Sequence, residues 1–203
     1  YLYASSYDGN SNLWIDLYGD SIRMPTISMP QELTELFYGY IGSYDYENDN
    51  YFWGRVGQAT PIADINNLKS IKASVDYSIN AWGIEKTNQI ANSIYGNTQM
   101  NVDFGESTWS MQNLHGFNAQ GNVSGNTFVS NQIIGTNNNN YYGGTENFSD
   151  HTIKAGSTIN GVFIGSDAQR LIGQANITAV KDGTETVVKS VLEGYQGNRM
   201  MDR

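Results

Sequence analysis

From residue 69 onward, segments in which apolar and polar residues alternate are separated by short turns rich in Gly, Asn and Asp. A period of two places the apolar side chains on one face of a β-strand, and short turns join such strands into antiparallel hairpins. The turn signals include Gly105-Glu106, Ser124-Gly125-Asn126 and Lys181-Asp182-Gly183. This part of the chain therefore predicts about eight antiparallel strands.

Each predicted strand has one apolar face. Eight such strands can close into a small barrel, which removes exposed strand edges and has an interior just filled by side chains. A hollow interior that holds a ligand, as in lipocalins, is the alternative. The residues predicted to face the interior are Val102, Phe104, Phe128, Phe163, Ile177, Val188 and Leu192.

The first 66 residues contain shorter strand-like pieces and many aromatic residues. A piece of this size is too small to be stable alone and is expected to pack on the barrel. We therefore predict an all-β chain, with a small aromatic-rich N-terminal domain over residues 1–66 and an eight-stranded barrel over residues 67–203. The boundary is placed near residues 61–68.

Composition excludes several classes of function. With 20 acidic and 11 basic residues the net charge is −9, which repels phosphate backbones, so no nucleic-acid partner is expected. The chain has no cysteine, which excludes disulfides and thiolate metal sites. No apolar run approaches the roughly 18 residues of a membrane span. An extracytoplasmic location is expected.

Residues 161–177, GVFIGSDAQRLIGQANI, interrupt the strand pattern. Two strand-like pieces flank the segment SDAQRL, which predicts one helical turn capped by Ser166 or Asp167. Gly165 and Gly173 bracket this turn.

Three segments resemble the eight-stranded barrels of transferrin-binding protein B and of other Slam-dependent bacterial surface proteins. The helical-turn segment is similar to the G-x-F-x-G-x-x-A-x-x-hydrophobic-x-G signature of this family, and two upstream segments are similar to its V-D-F-G hairpin and its G-x-x-S-G-x-x-F strand pair. The matching residues are, in turn, Gly161, Phe163, Gly165, Ala168, Leu171 and Gly173; Val102, Asp103, Phe104 and Gly105; and Gly121, Ser124, Gly125 and Phe128.

The resemblance implies a small handle domain followed by a barrel in which the helical turn plugs one end. It is nearest to members with a single handle and barrel, such as the colonisation factor NilC and the hemophilins. It implies a bacterial outer-membrane surface or secreted protein, exported by a Slam-type translocator, with a possible lipid anchor upstream of Tyr1. The implied function is host interaction or colonisation, and the alternative is a hemophore that captures haem.

Catalysis is not predicted. The chain has two histidines, His115 and His151, and both are expected to be solvated loop residues. Asp150 precedes His151, but neighbours on a strand point to opposite faces, so no catalytic dyad is expected. No nucleophile elbow, P-loop or zinc-protease motif occurs. If haem is bound, His115 and His151 are the candidate iron ligands.

Aromatic residues are concentrated between residues 37 and 53. Tyr and Trp are common anchors of recognition surfaces, and here they stand among Gly, Asp and Asn. Core packing is the alternative, and alternation allows one face to pack while the other meets a partner. The exposed Asn- and Gly-rich loop 135–150 is a second candidate surface. The candidate ligand-binding residues are Tyr38, Tyr40, Tyr44, Tyr46, Tyr51 and Trp53.

Overall fold

The computed structural model describes residues 13–18, 39–45, 50–137, 143–144 and 147–197, and before residue 59 it describes the backbone. These ranges contain twelve strands, one α-helix and one 3-10 turn. Helix α1 spans Ile62–Ser70, and the 3-10 turn spans Ser166–Ala168. The strands are β1 (Leu13–Tyr18), β2 (Gly39–Asp45), β3 (Asn50–Gln58), β4 (Ser74–Thr87), β5 (Ile90–Asp103), β6 (Thr108–Leu114), β7 (Phe117–Ser124), β8 (Thr127–Gly135), β9 (Thr152–Ile153), β10 (Thr158–Ile164), β11 (Arg170–Lys181) and β12 (Thr184–Gln196).

Eight antiparallel strands form a closed barrel. Their order around the ring is β4, β5, β6, β7, β8, β10, β11 and β12, and β12 pairs again with β4. The short strand β9 pairs with β11 near its C-terminal end, at Ala179 and Val180. The predicted all-β fold and its eight-stranded barrel are confirmed. The three predicted turns are also found between the strands that they were expected to join.

Side chains fill the barrel interior. All seven residues predicted to face inward are at most 1% exposed. The ring of Phe163 lies 5.2 Å from that of Phe104 and 5.6 Å from that of Phe128, centroid to centroid. The prediction of a packed interior is therefore confirmed over the hollow, lipocalin-like alternative.

Strands β1, β3 and β2 form a separate three-stranded sheet, in that order. Strand β3 continues into Ala59, which bridges to Ile164 on β10. Strand β1 lies against β11, and β3 lies against β12. Ala59 forms a second buried apolar cluster with Val162, Ile164 and Ile172. The division into domains 1–66 and 67–203 stays a prediction, and its first strand-like piece, residues 1–6, lies outside the described residues.

Helix α1 was not predicted. Two of its residues, Ile65 and Leu68, are buried in the barrel core, so the helix closes one end of the barrel. The predicted boundary near residues 61–68 falls inside this helix. The first barrel strand begins only at Ser74, although the alternating segments were expected from residue 69 onward, because the helix continues to Ser70. Two buried positions out of nine give too weak a helical stripe to recognise in the sequence.

The predicted helical turn is present but short. Gly165 precedes it with φ 79°, and Asp167 and Ala168 both have φ 52°. The prediction of a Ser166 or Asp167 cap is wrong, because Gly165 holds the cap position and no side-chain cap bond forms. The turn is fixed instead by tertiary hydrogen bonds.

Hydrogen bonds from three neighbouring elements hold the turn in the end of the barrel. Tyr77 Oη donates to the Ala168 carbonyl at 2.6 Å, and Gln196 Nε2 donates to the same carbonyl at 3.0 Å. Asp64 of α1 accepts from the Asp167 backbone N–H at 3.0 Å. The turn therefore joins α1, β4 and β12 at one barrel end, as the family resemblance implied.

Phe148 closes the opposite end. Its ring stacks on Phe117 at 4.4 Å, and its backbone N–H donates to the Thr136 carbonyl at 3.1 Å. Phe148 is fully buried in the barrel core. The prediction that the loop 135–150 is exposed is thus wrong at Phe148, because an apolar ring in this position covers the open end of the core.

Candidate binding surface

The register of the three-stranded sheet collects the predicted aromatic residues on one face. Tyr44 pairs with Tyr51, and Gly42 pairs with Trp53. Residues directly opposite each other, and residues two positions apart along one strand, share a face. Tyr40, Tyr44, Tyr51 and Trp53 therefore lie on the same face. Tyr38 and Tyr46, the other two candidates, lie outside the described residues.

Strand β1 extends this face. Tyr18 pairs with Trp53, and Trp14 pairs with Gly57, so Trp14 and Tyr18 belong to the same side. Asp16 pairs with Arg55, which adds two opposite charges there. The sequence prediction left Trp14 and Tyr18 out of the site, although the alternation in LWIDLY places them together. We call the set Trp14, Tyr18, Tyr40, Tyr44, Tyr51 and Trp53 the aromatic face.

The reverse side of the same sheet has a different composition. Its charged and amide residues, Asp45, Asn50 and Gln58, stand at the strand ends, and its other larger residues are apolar. We call this set, Leu13, Ile15, Leu17, Ile41, Phe52 and Val56, the apolar face. The sheet is therefore amphipathic, with aromatic residues and the Asp16–Arg55 pair on one side and mainly apolar residues on the other.

His115 is a core residue, so its prediction as a solvated loop histidine is wrong. It is 1% exposed, and its Nε2 shares a hydrogen bond of 2.9 Å with Ser190 Oγ on β12. Burial lowers the pKa of His115 to about 3. The imidazole is therefore neutral at physiological pH.

His151 is also enclosed, with a side chain that is 4% exposed. Its Nδ1 lies 3.1 Å from Asp150 Oδ1, and its ring meets Phe148 edge-on. The strand argument used in the sequence analysis does not apply to Asp150 and His151, because the two residues lie at a turn rather than on a strand. A hydrogen bond from Lys181, whose Nζ lies 2.5 Å from the carboxylate, lowers the pKa of Asp150.

The two histidines do not fit the predicted haem site. Ligation of one iron from both sides needs two ring nitrogens that face a common open slot. His115 is instead packed in the core against Ser190, and His151 packs against Phe148. Haem binding by other residues stays a prediction.

Among the described residues, no group of three or more His, Cys, Asp and Glu side chains has the arrangement of a metal site. In the same part of the chain, no helix has the length and apolar character needed to span a membrane.

Comparison with known proteins supports the fold. No protein-family model and no curated protein matches the sequence. Solved structures of transferrin binding protein B are similar. The protein from serogroup B Neisseria meningitidis has a TM-score of 0.53 and 14% identity over 96% of this chain. A double mutant from Haemophilus parasuis has a TM-score of 0.56 and 15% identity over 94%.

These similarities define the class of fold, an antiparallel barrel like that of a transferrin binding protein B lobe. This chain spans only 34% and 41% of the two similar chains. Both of those structures are of proteins named for binding transferrin. The resemblance inferred from the three sequence motifs is thus confirmed at the level of the fold.

Proposed function

We propose that this chain is a non-enzymatic bacterial surface or secreted protein that recognises a host macromolecule through its aromatic face. The observation that carries this proposal is the strand register, which brings Tyr44 opposite Tyr51 and places Trp53 between Tyr18 and Gly42. Tyr and Trp supply large contact areas at low conformational cost, and they dominate the energetic centres of protein interfaces.

The amphipathic sheet supports an outward orientation of the aromatic face. An antiparallel sheet commonly buries one face and exposes the other. The middle of the reverse side, where Ile15, Ile41 and Val56 lie, is apolar, whereas the middle of the aromatic side carries the paired charges of Asp16 and Arg55. We therefore assign the apolar face to packing and the aromatic face to recognition.

The barrel provides a matching surface for the apolar face. Val162, Ile164 and Ile172 are at most 2% exposed, although they alternate with residues of the barrel core. Strand β1 lies against β11 in this region. We infer that the three-stranded sheet covers these residues, which leaves the side of the sheet that faces away from the barrel for a partner.

The narrower parts of the proposal rest on similarity of fold. These narrower parts are a role in host interaction or colonisation and export by a Slam-type translocator. They also include the location, which is either display on the outer membrane by a lipid anchor or release from the cell. Because the similar structures are transferrin binding proteins, transferrin is the first partner to test.

The test compares two double variants with the unaltered chain. Tyr44→Ala with Tyr51→Ala removes one cross-strand pair of the aromatic face. Tyr95→Ala with Tyr195→Ala removes two barrel tyrosines that are 44% and 43% exposed, and it serves as the matched control. Binding is measured to iron-loaded and iron-free transferrin and to proteins captured from host serum.

We expect the aromatic-face variant to lose at least about tenfold in affinity for the captured partner, as for interface anchors generally. The control variant should bind like the unaltered chain. Loss of binding in the control, or full binding by the aromatic-face variant, would contradict the proposal. A parallel titration with hemin tests the hemophore alternative, since a stoichiometric Soret band would favour that function instead.

A further inference from the structure

One part of the barrel wall is free of charge. Residues 107–145 contain no Asp, Glu, Lys or Arg, although these types make up 15% of the chain. Along β6 and β7 the exposed positions are occupied instead by hydroxyl and amide side chains. They are Thr108, Ser110, Gln112, Asn118, Gln120, Asn122 and Ser124.

A groove of about 300 Å³ lies on this wall. Its floor contains Trp109, which is 2% exposed and donates from Nε1 to the Val129 carbonyl at 3.2 Å. Gly121 also lines the groove, and only glycine fits there, since a Cβ would lie 1.9 Å from the Val129 carbonyl oxygen and 2.7 Å from Trp109 Nε1. The polar side chains around the groove are Asn101, Thr108, Ser110, Gln120, Asn122 and Asn131.

Hydrogen bonds orient three of the amides before any ligand arrives. Asn131 Nδ2 donates to Asn122 Oδ1 at 2.9 Å, and Asn101 Nδ2 donates to Asp76 Oδ1 at 2.9 Å. A shift in the pairing of β7 with β8 between Gln120 and Gly121 marks an irregularity at the same place. Such irregularities re-aim side chains and interrupt a flat sheet surface.

We propose that this groove binds a neutral saccharide. Each Asn or Gln offers two donors and an acceptor, and each Ser or Thr offers one donor and an acceptor, which suits the hydroxyl groups of a sugar. Neighbouring strands are about 4.8 Å apart, a spacing comparable with that of hydroxyls across a pyranose ring. The six polar lining residues carry no charge, so the groove has no cation for a phosphate or sulfate group.

The groove is separate from the aromatic face. Strand β6 is four strands from β11 in either direction around the ring, so the two lie on opposite sides of the barrel. The three-stranded sheet meets the barrel at β11 and β12. Saccharide binding therefore goes beyond the proposed recognition of a macromolecule, and each can fail without the other.

The experiment uses the full chain on an array of neutral, sialylated and sulfated glycans. Titration calorimetry with the neutral glycan that is retained best then compares two double variants. Ser110→Ala with Gln120→Ala removes polar groups from the groove. Gln99→Ala with Gln132→Ala removes two exposed amides of β5 and β8 that lie outside it. Thermal unfolding of each variant confirms that the fold is kept.

Retention of neutral glycans, with at least about a tenfold loss of affinity in the groove variant and unchanged affinity in the control, would support the proposal. Retention of anionic glycans alone would overturn it. So would equal binding by the groove variant, or equal losses in both variants. If the array retains nothing, the NMR shifts of the backbone amides are recorded with glucose, galactose, mannose and N-acetylglucosamine at millimolar concentration. The absence of a shift at Asn101, Ser110 and Gln120 would also overturn the proposal.

Discussion

Gly161 and Gly173 lie directly opposite each other on β10 and β11, and the ring of Phe128 occupies the space beside both. An added Cβ would lie 2.5 Å from Phe128 Cζ at Gly161 and 3.0 Å from it at Gly173. The two glycines thus make room in the barrel wall for one aromatic ring. This explains in physical terms why the motifs that contain Gly161, Gly173 and Phe128 occur together.

Replacement of Gly173 by Val should destabilise the barrel. The new side chain would meet Phe128 and the Asn160 carbonyl, which lies 2.6 Å from an ideal Cβ. Overpacking of this kind costs about 1–3 kcal/mol in the free energy of unfolding. Urea denaturation measures the loss. Gly197→Ala is the control, because nothing lies within 4 Å of a Cβ there. A Gly173→Val protein as stable as the parent would refute this explanation of the motif.

Truncation of Phe148 should open the barrel end that it closes. The ring is fully buried and stacks on Phe117. Phe148→Ala is expected to lower the free energy of unfolding by about 3–5 kcal/mol, as for other buried aromatic residues. Ser149→Ala, at the exposed neighbouring position, should change it by less than about 0.5 kcal/mol. Similar effects for the two substitutions in chemical denaturation would show that Phe148 does not close the core.

His115 should make the fold sensitive to acid. Its pKa is about 3 in the folded chain and 6.5 in the unfolded chain. The unfolded state therefore binds more protons between these values, and stability is lost as the pH falls through 6.5 toward 3. The limiting slope is about 1.4 kcal/mol per pH unit.

The substitution His115→Gln keeps a hydrogen-bonding group near Ser190 and removes the titration. We expect a smaller loss of stability between pH 7 and pH 5 in this variant, measured by urea denaturation. His151→Gln serves as the matched control substitution. In the parent protein, NMR should detect no titration of the His115 ring between pH 8 and pH 5, and a midpoint near 6.5 would disprove its burial.

Glu193 should have the opposite effect. Burial raises the pKa of this half-buried carboxyl from 4.5 to about 7. The folded state binds more protons between these values, so this residue's contribution to stability decreases as the pH rises from 4.5 to 7. Glu193→Gln is expected to raise the Tm by roughly 1–3 °C at pH 8 and to leave it unchanged at pH 4. Glu106→Gln, at an exposed turn position, should change neither value.

Much of the barrel was predictable because strands with one buried face have a period of two. Phe128, Phe163 and Val188 were all identified as core residues from alternation, and all are buried. Turns such as Asp182-Gly183 were recognisable because Gly and Asp tolerate positive φ better than most residues. Both residues adopt positive φ in the structure. These signals are local, so the sequence carries them directly.

The closures of the barrel were harder to predict. Helix α1 contributes Ile65 and Leu68 to the core, and Phe148 comes from a loop of low complexity. One or two apolar residues in a segment form no period. The burial of His115 was also missed, because its hydrogen-bond partner Ser190 is 75 positions away in the chain.

The candidate surfaces were predicted in part. The sequence by itself determined the amino-acid types that recognition can use, namely the aromatic residues near the N-terminus and the uncharged amides of residues 107–145. It also determined the strands and most of the barrel core, because alternation is a property of neighbouring residues. Only the tertiary structure decided which residues share a face, since that depends on register between strands: Tyr44 meets Tyr51 and Trp53 meets Tyr18 only when β2, β3 and β1 pair as they do.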